Sequence, residues 1–350
     1  MPTCNSPSPA PPAAQPMATR GTALLAVLWL SAALATIAIS LADTVRGEAE
    51  RSATAVDSLR SQDLAVGGLW RAILYMDWGR THSNIPKYKP PMPFFVFDFP
   101  EGQTVVDIIP ENSKLNINNA QPDDLLHLLM NLGVEPARAQ PIADAIMDWR
   151  SPAPPAPSPF DDFYASLRPP YVARHGRFQD IEELLSVKGI TPDLFYGTWE
   201  TAPEGSAQHL TLRTGMSDCV SVFGATNQFD VNTAPPAVLA TAGVPPEGVA
   251  ALVQYRREHG FLKPEDLVPF AQVAGQGFTR LRIGGYTIFT LRSTARLRLV
   301  NGQLSDLRRT VAAQVKFLPP GYATSYHVLR WYDTVVGQSS RPWPVSPDLH

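Results

Sequence analysis

Arg20-Gly21-Thr22-Ala23-Leu24-Leu25-Ala26-Val27-Leu28-Trp29-Leu30 opens an uncharged run that extends to Ala42 and takes in Leu34, Ile37, Ile39 and Leu41. As a helix this run is long enough to cross a hydrocarbon core of about 30 Å. Charge returns at Asp43 and Arg46, but the apolar rhythm continues. Ala49, Ala53, Val56, Leu59, Val66, Trp70 and Ile73 recur at helical spacing, with one polar gap at Gln62 and Asp63. The first paired helix breakers are Gly67-Gly68. The pattern predicts a membrane helix over 22–42 that runs on as an amphipathic stalk over 43–80. Arg20 before the run and the slightly acidic segment after it place the N-terminus on the cytoplasmic side. A secretory signal cut after Ser40-Leu41-Ala42 is the competing reading, and the unbroken helical pattern beyond Ala42 speaks against it.

Residues 1–16 are mostly Pro, Ser and Ala, a composition that cannot pack a core. They precede Met17, which is a candidate initiator alternative to Met1. The 350 residues carry 29 Lys+Arg against 32 Asp+Glu, a net charge of −3, which argues against broad electrostatic binding to nucleic acid. Hydrophobic residues make up 44%, enough for a real core, so the 35 prolines are spliced into a folded chain. Two cysteines, Cys4 and Cys219, allow neither a disulfide framework nor a four-thiolate zinc site. Cys219 reads as a small buried residue. Cys4 is no lipidation site, because the apolar run follows it instead of preceding it.

Strands are expected at Phe94–Phe97, Thr104–Ile109, Tyr286–Leu291, Ala295–Val300, Thr310–Phe317 and Tyr326–Tyr332, where aromatic and β-branched residues concentrate. Asn301-Gly302 reads as the turn of a hairpin. The stalk is expected to pack on an antiparallel sheet made from 81–112 and 281–334. Residues 335–350 are expected to fray.

Between the two groups of strands the chain repeats itself. Leu115-Asn116-Ile117-Asn118-Asn119-Ala120-Gln121-Pro122 is echoed by Phe229-Asp230-Val231-Asn232-Thr233-Ala234-Pro235-Pro236. Asn119 and Thr233 are the expected helix N-caps, with proline in the first turn. Each copy then reaches a Gly-Val turn, Gly133-Val134 or Gly243-Val244, and a second helix ending at Trp149-Arg150 or Tyr255-Arg256. His175-Gly176-Arg177-Phe178 before Glu182-Glu183-Leu184 matches His259-Gly260-Phe261-Leu262 before Glu265-Asp266-Leu267, and Gly189-Ile190-Thr191-Pro192 makes a further hairpin. Segment 113–280 therefore reads as an inserted α-helical domain of duplicated helix-hairpin-helix-like units. Ser151 to Pro159 alternates prolines with small residues and must be a solvent-facing loop.

Such hairpins bind DNA when free N–H groups at a helix start cradle a phosphate. Here Glu135 and Pro245 occupy the place of the second glycine, the first repelling phosphate and the second lacking an N–H. No DNA affinity is expected. HExxH, GxSxG and Walker motifs are missing, and Gly275-Gln276-Gly277 lacks the third glycine of a dinucleotide fold, so no enzyme activity is expected either. Arg292, Arg296, Arg298, Arg308 and Arg309 form a modest basic cluster on the strands.

Three features, taken in order, resemble the K-type minor pseudopilins of type II protein secretion. They are the Arg20-Gly21 leader before an intact apolar run, the Ile142–Arg150 segment, and the ordered motifs Lys114–Asn118, Tyr171–Phe178, Glu183–Pro192 and Val231–Pro236. The resemblance implies an α+β fold, with a transmembrane and stalk helix packed on an antiparallel pilin-like sheet that carries the large inserted helical domain. It implies a leader over 1–21, prepilin peptidase cleavage between Gly21 and Thr22, and N-methylation of Thr22. Assembly would run through Leu24, Leu25, Ala26, Leu28 and Trp29, with Ala26 standing where most pilins carry glutamate. The implied role is to cap and help initiate the periplasmic pseudopilus with I- and J-type minor pseudopilins, from a single pass of the bacterial inner membrane. Relatives also imply calcium in an acidic loop, reduced here to Asp161 and Asp162. A membrane-tethered DNA-binding protein of competence type is the alternative.

Overall fold

The computed structural model describes residues 20–82, 85–88, 92–153, 155–201, 210–224, 227–259, 262–284, 287–319 and 321–335. Residues 1–19, Met17 and Cys4 among them, lie outside the described residues, as do nearly all of the expected tail and part of the His259–Leu262 motif. The chain divides into two units, Met1–Leu59 and Arg60–His350. The long helix α1, Arg20–Thr81, contributes to both. Its portion in the first unit includes the apolar run, with Leu24, Leu25, Leu28 and Trp29 all exposed. It is long and apolar enough to cross a membrane by length and composition.

The second unit is built on strands β1 (Phe94–Phe99) and β2 (Gly102–Pro110) at its start. A long, mainly helical stretch follows. It begins with β3 (Leu115–Asn116), α2 (Pro122–Asn131), α3 (Pro136–Arg150) and α4 (Pro159–Ser166). Then come α5 (Pro192–Tyr196), β4 (Thr198–Thr201), β5 (Leu210–Arg213), α6 (Met216–Cys219) and β6 (Val220–Ser221). It ends with β7 (Phe229–Asp230), α7 (Pro236–Thr241), α8 (Pro246–His259), α9 (Pro264–Ala274) and β8 (Leu281–Arg282). Strands β9 (Ile288–Leu297), β10 (Arg309–Phe317) and β11 (Tyr326–Tyr332) complete the unit. The five long strands form one antiparallel sheet in the order β1-β2-β9-β10-β11. The fold thus mixes helix and antiparallel sheet, with a long apolar helix at the start of the described chain.

One face of α1 packs on this sheet. Ala65, Leu69, Ala72, Ile73 and Met76 fall on one side at helical spacing and are buried against Phe95, Phe97, Val106, Ile108, Phe289, Leu291, Val311 and Val315. Each fully buried Leu, Ile or Phe contributes about 1.5–3 kcal/mol. Gly67-Gly68 do not break the helix. A Cβ on Gly68 would lie 2.8 Å from the Thr104 Cβ, so the missing side chain is what lets helix and strand approach. On the sheet, the expected strands at 286–291 and 295–300 are one continuous strand, β9, which pairs with β2 on one side and β10 on the other. Ser293 between them is fully buried and continues the inward alternation.

A second core lies among the elements between β2 and β9. Leu115, Ile117, Leu125, Leu128, Leu129, Ile142, Ile146, Trp149, Tyr164, Phe195, Phe229, Val231 and Leu239 are all buried in it.

Candidate functional site

The first repeat begins where β3 pairs in parallel with β6. The Asn116 carbonyl accepts the Ala120 N–H at 2.8 Å, which turns the chain toward α2. In the second repeat β7 pairs in parallel with β8, and the Asp230 carbonyl accepts the Ala234 N–H at 2.9 Å. Asn119 and Thr233 are not the N-caps that the sequence suggests. They sit in these tight turns, and the helices start later, after Gln121 and Pro235. The turn bonds hold Asn119 and Thr233 back, while Pro122 and Pro236 supply the fixed φ of the first helical position.

Two side chains close each repeat in the same way. Asn118 donates to the Phe178 carbonyl at 2.9 Å and accepts the Phe178 N–H at 2.8 Å. Asn232 does the same to Leu262, at 3.0 and 2.8 Å. Arg150, at the end of α3, reaches back to the carbonyls of Ile117 and Ala120. Arg256 on α8 reaches those of Val231 and Ala234. Burial lowers the pKa of both guanidiniums, that of Arg256 to about 10 against an opposing pull from Asp230. The repeats meet through α2 and α7, where Arg280 pairs with Asp124 at 2.8 Å and Asn131 donates to Thr241 at 3.2 Å.

The hairpin turns are built as backbone joints. Gly133, Gly189 and Gly243 have φ of 86, 89 and 91°, a region costly for side chains with a Cβ. The helices that follow two of these turns begin with Pro136 and Pro246, which have no N–H to offer a phosphate. The DNA-binding reading is not favoured.

Asp161 and Asp162 fall in the first turn of α4 and part company. Asp162 is exposed. Asp161 forms a reciprocal cap with Ser158: its Oδ2 accepts the Ser158 N–H at 2.8 Å, and the Ser158 Oγ accepts the Asp161 N–H at 3.3 Å. The Ser158 hydroxyl also donates to Asp148 Oδ2 at 3.1 Å. His175 Nε2 lies 2.9 Å from Asp161 Oδ1. Among the described residues, Asp148, Asp161 and His175 form a group whose ligand atoms lie within 4.8 Å of one another. The Ser158 N–H holds Asp161 below the usual carboxylate range, and His175 adds to this against a penalty from burial. Burial works against a charge on His175, but the hydrogen bond and charge of Asp161, with the charge of Asp148, raise its pKa above the usual value.

This set does not fit calcium. Calcium takes six to eight oxygens, whereas only two carboxylates converge here. Both oxygens of Asp161 already have partners, the third group is an imidazole nitrogen, and the loop from Ser151 to Pro157 contains no carboxylate. Asp148, Ser158 and His175 went unnoticed as a group in the sequence because a proline loop and α4 separate them.

Another group that the sequence did not expose is buried Glu111, which accepts hydroxyl bonds from Ser221 on β6 and Thr290 on β9, with Lys114 Nζ 3.9 Å away. It ties the helical region to the sheet. The basic cluster on the sheet is engaged locally. Arg292 faces Asp218 at 3.8 Å, Arg296 donates to the Ser305 carbonyl at 2.6 Å, and Arg298 faces Asp98 at 3.5 Å.

Residues 106–196, which span the end of β2, the first repeat and its final hairpin, match the family described as Type II secretion system (T2SS), protein K. A protein from Pectobacterium carotovorum subsp. carotovorum described as "Type II secretion system protein K" is 38% identical over 88 residues, which are 24% of this chain and 27% of that protein. The chain thus matches about a quarter of the length of this curated relative. Among solved structures, one described as the GspK-GspI-GspJ complex from the enterotoxigenic Escherichia coli Type 2 Secretion System gives a TM-score of 0.48 at 17% identity, covering 84% of this chain and 99% of that one. The chain is therefore related to type II secretion system protein K, and the relationship rests on the region built around the first repeat, residues 106–196.

Proposed function

We propose that this chain works as a K-type minor pseudopilin, a non-enzymatic subunit that caps the periplasmic pseudopilus of type II secretion and helps to initiate it. The observation behind this reading is the conjunction, in one chain, of the protein K match over 106–196 with an apolar helical run whose side chains are exposed from Ala23 to Ala42. Leu24, Leu25, Leu28 and Trp29 are 75, 58, 62 and 73% exposed, a surface that belongs in lipid or against other apolar helices. In this reading 1–21 is a leader, 22–42 the membrane helix and 43–80 the stalk. Residues 81–112 and 281–334 make the pilin-like sheet domain, 113–280 is the inserted helical domain and 335–350 a tail.

Prepilin peptidase cuts between Gly21 and Thr22 on the cytoplasmic face and methylates Thr22, while the head faces the periplasm. The partners are I- and J-type minor pseudopilins. Ala26 suits the first subunit of a fibre. A glutamate there would have no neighbouring amine to neutralise, and an unpaired carboxylate at membrane depth costs several kcal/mol. The large helical insertion suits the same place, because it would obstruct stacking above it.

Labelling the protein in assembled fibres tests the role: label is expected at one end only, and label along the shaft would refute the cap. N-terminal sequencing of the membrane-extracted chain should begin at Thr22. A start at Asp43 would make the apolar run a cleaved signal and sink the reading.

A further inference from the structure

We propose that a side-chain brace, Asp148–Ser158–Asp161–His175, fastens the excursion between α3 and Phe178 without any metal ion, in the very place where the resemblance implies calcium. Asp148 and Asp161 converge, and no further carboxylate joins them from the proline loop or from Asp162. Two carboxylates brought together repel unless a cation or hydrogen-bond donors come between them. Here the donors are supplied by the chain. The Ser158 main-chain N–H goes to Asp161 at 2.8 Å and its hydroxyl to Asp148 at 3.1 Å. The His175 ring closes the far side of Asp161 at 2.9 Å.

The excursion is anchored beneath this brace by contacts that need no ion. Trp149 meets the Tyr164 ring edge-on at a centroid distance of 5.3 Å, and Tyr164 stacks on Tyr171 at 5.3 Å. The Tyr171 hydroxyl donates to the Ser186 carbonyl at 2.6 Å, and the Gly176 N–H donates to the Trp149 carbonyl at 3.0 Å. His175 itself holds a φ of 47°. Its neighbours Gly176 and Ala173 are fixed by the backbone bond to Trp149 and by burial, so the ring is presented to Asp161 by a chain tied on both sides. A metal ion would have to displace the Ser158 and His175 bonds from Asp161 before gaining its oxygens. An ion that must first break the contacts holding its own site gains little affinity.

The test uses the full chain in detergent, with thermal melting as the readout and proteolysis within Ser151–Pro159 as a local one. Wild-type protein is expected to melt at the same temperature with a calcium chelator, with millimolar calcium and with micromolar zinc. His175→Gln and Ser158→Ala should each lower the melting temperature by several degrees and speed cleavage of the proline loop, in chelator and in calcium alike. A chelator-induced fall in the wild-type melting temperature, or a rise with calcium or zinc, would show that an ion fills the site and overturn the proposal. So would variants that melt and resist protease as the wild type does. Should Ser158→Ala fail to fold, Ser158→Thr, which keeps the hydroxyl, should restore folding. The outcome is independent of whether the chain caps a fibre.

Discussion

From Arg150 the first repeat leads the chain through a proline loop, α4 and Tyr171 before it reaches Phe178 and the Asn118 clamp. From Arg256 the second repeat runs almost directly to Leu262 and the Asn232 clamp. The clamps are the same, so the minimal unit needs a strand, a turn, two helices and a returning chain segment held by one asparagine and one arginine. Whatever lies between Arg and the returning segment is free to vary, provided that it brings its own fastening. In the first repeat that fastening is the Ser158-centred brace. In the second, the short connection leaves nothing to fasten.

The two repeats should differ most at their clamps. Asn232 is buried, so Asn232→Ala leaves a main-chain N–H and C=O of Leu262 without partners and should cost about 2–4 kcal/mol. Asn118 is half-buried and water can replace part of its role, so Asn118→Ala should cost about 1–2 kcal/mol. Denaturant melts of the two variants check both size and order. Equal costs would mean that burial does not distinguish the repeats.

The hairpin glycines should differ less. A Cβ on Gly189 would meet Ile142 Cγ1 at 2.7 Å, whereas one on Gly133 would find only the tip of Arg213 at 3.5 Å. Both sites require a left-handed φ. Gly133→Ala is expected to cost about 1 kcal/mol and Gly189→Ala about 2–3, the excess being a clash with the buried first repeat. Reversal of this order would argue that the Gly189 turn can shift away from α3.

The smallest effect concerns Cys219, which lies just ahead of the second repeat and is fully buried. Burial pushes its thiol up to about 12, against about 8.5 for an unfolded cysteine. The protonated thiol is favoured in the fold, so its share of stability is intact below about pH 8.5 and falls as pH rises toward the folded value. In a Cys4→Ser background, a thiol reagent at mildly alkaline pH should label the denatured chain at once and the native chain only as fast as it opens. Rapid native labelling would show that the region between the repeats is loose.

Much of this was legible in the sequence, for reasons specific to each part. The apolar run, the strand at Tyr326–Tyr332 and the repetition of Leu115–Pro122 in Phe229–Pro236 are local patterns, and periodicity or direct comparison of the segments reads them. Gly67-Gly68 misled as a break because the composition of a helix does not reveal which neighbour presses against it. Asn119 and Thr233 looked like caps because short polar residues before proline usually are. The competing bonds to the carbonyls of Asn116 and Asp230 cannot be seen without the turn. The brace and Glu111 were hidden for a different reason. Each joins residues from separate elements, and no spacing rule links Asp148 to His175 or Glu111 to Thr290.

Strands β2 and β9 are neighbours in the sheet, yet the whole helical region lies between them in the chain. That adjacency sets an order of folding. A chain emerging from its N-terminus can form the β1–β2 hairpin early, but α1 then has only that ribbon to lie on until β9, β10 and β11 arrive. Pairing at such sequence separation is slow, and the helical region shortens the search by bringing its own two ends together, with β3 and β8 drawn into one core. Until then the core that α1 shares with Phe289, Leu291, Val311 and Val315 is incomplete. A protein with this topology is at its most aggregation-prone when nearly complete, and the last strands to be made are the ones that end the hazard.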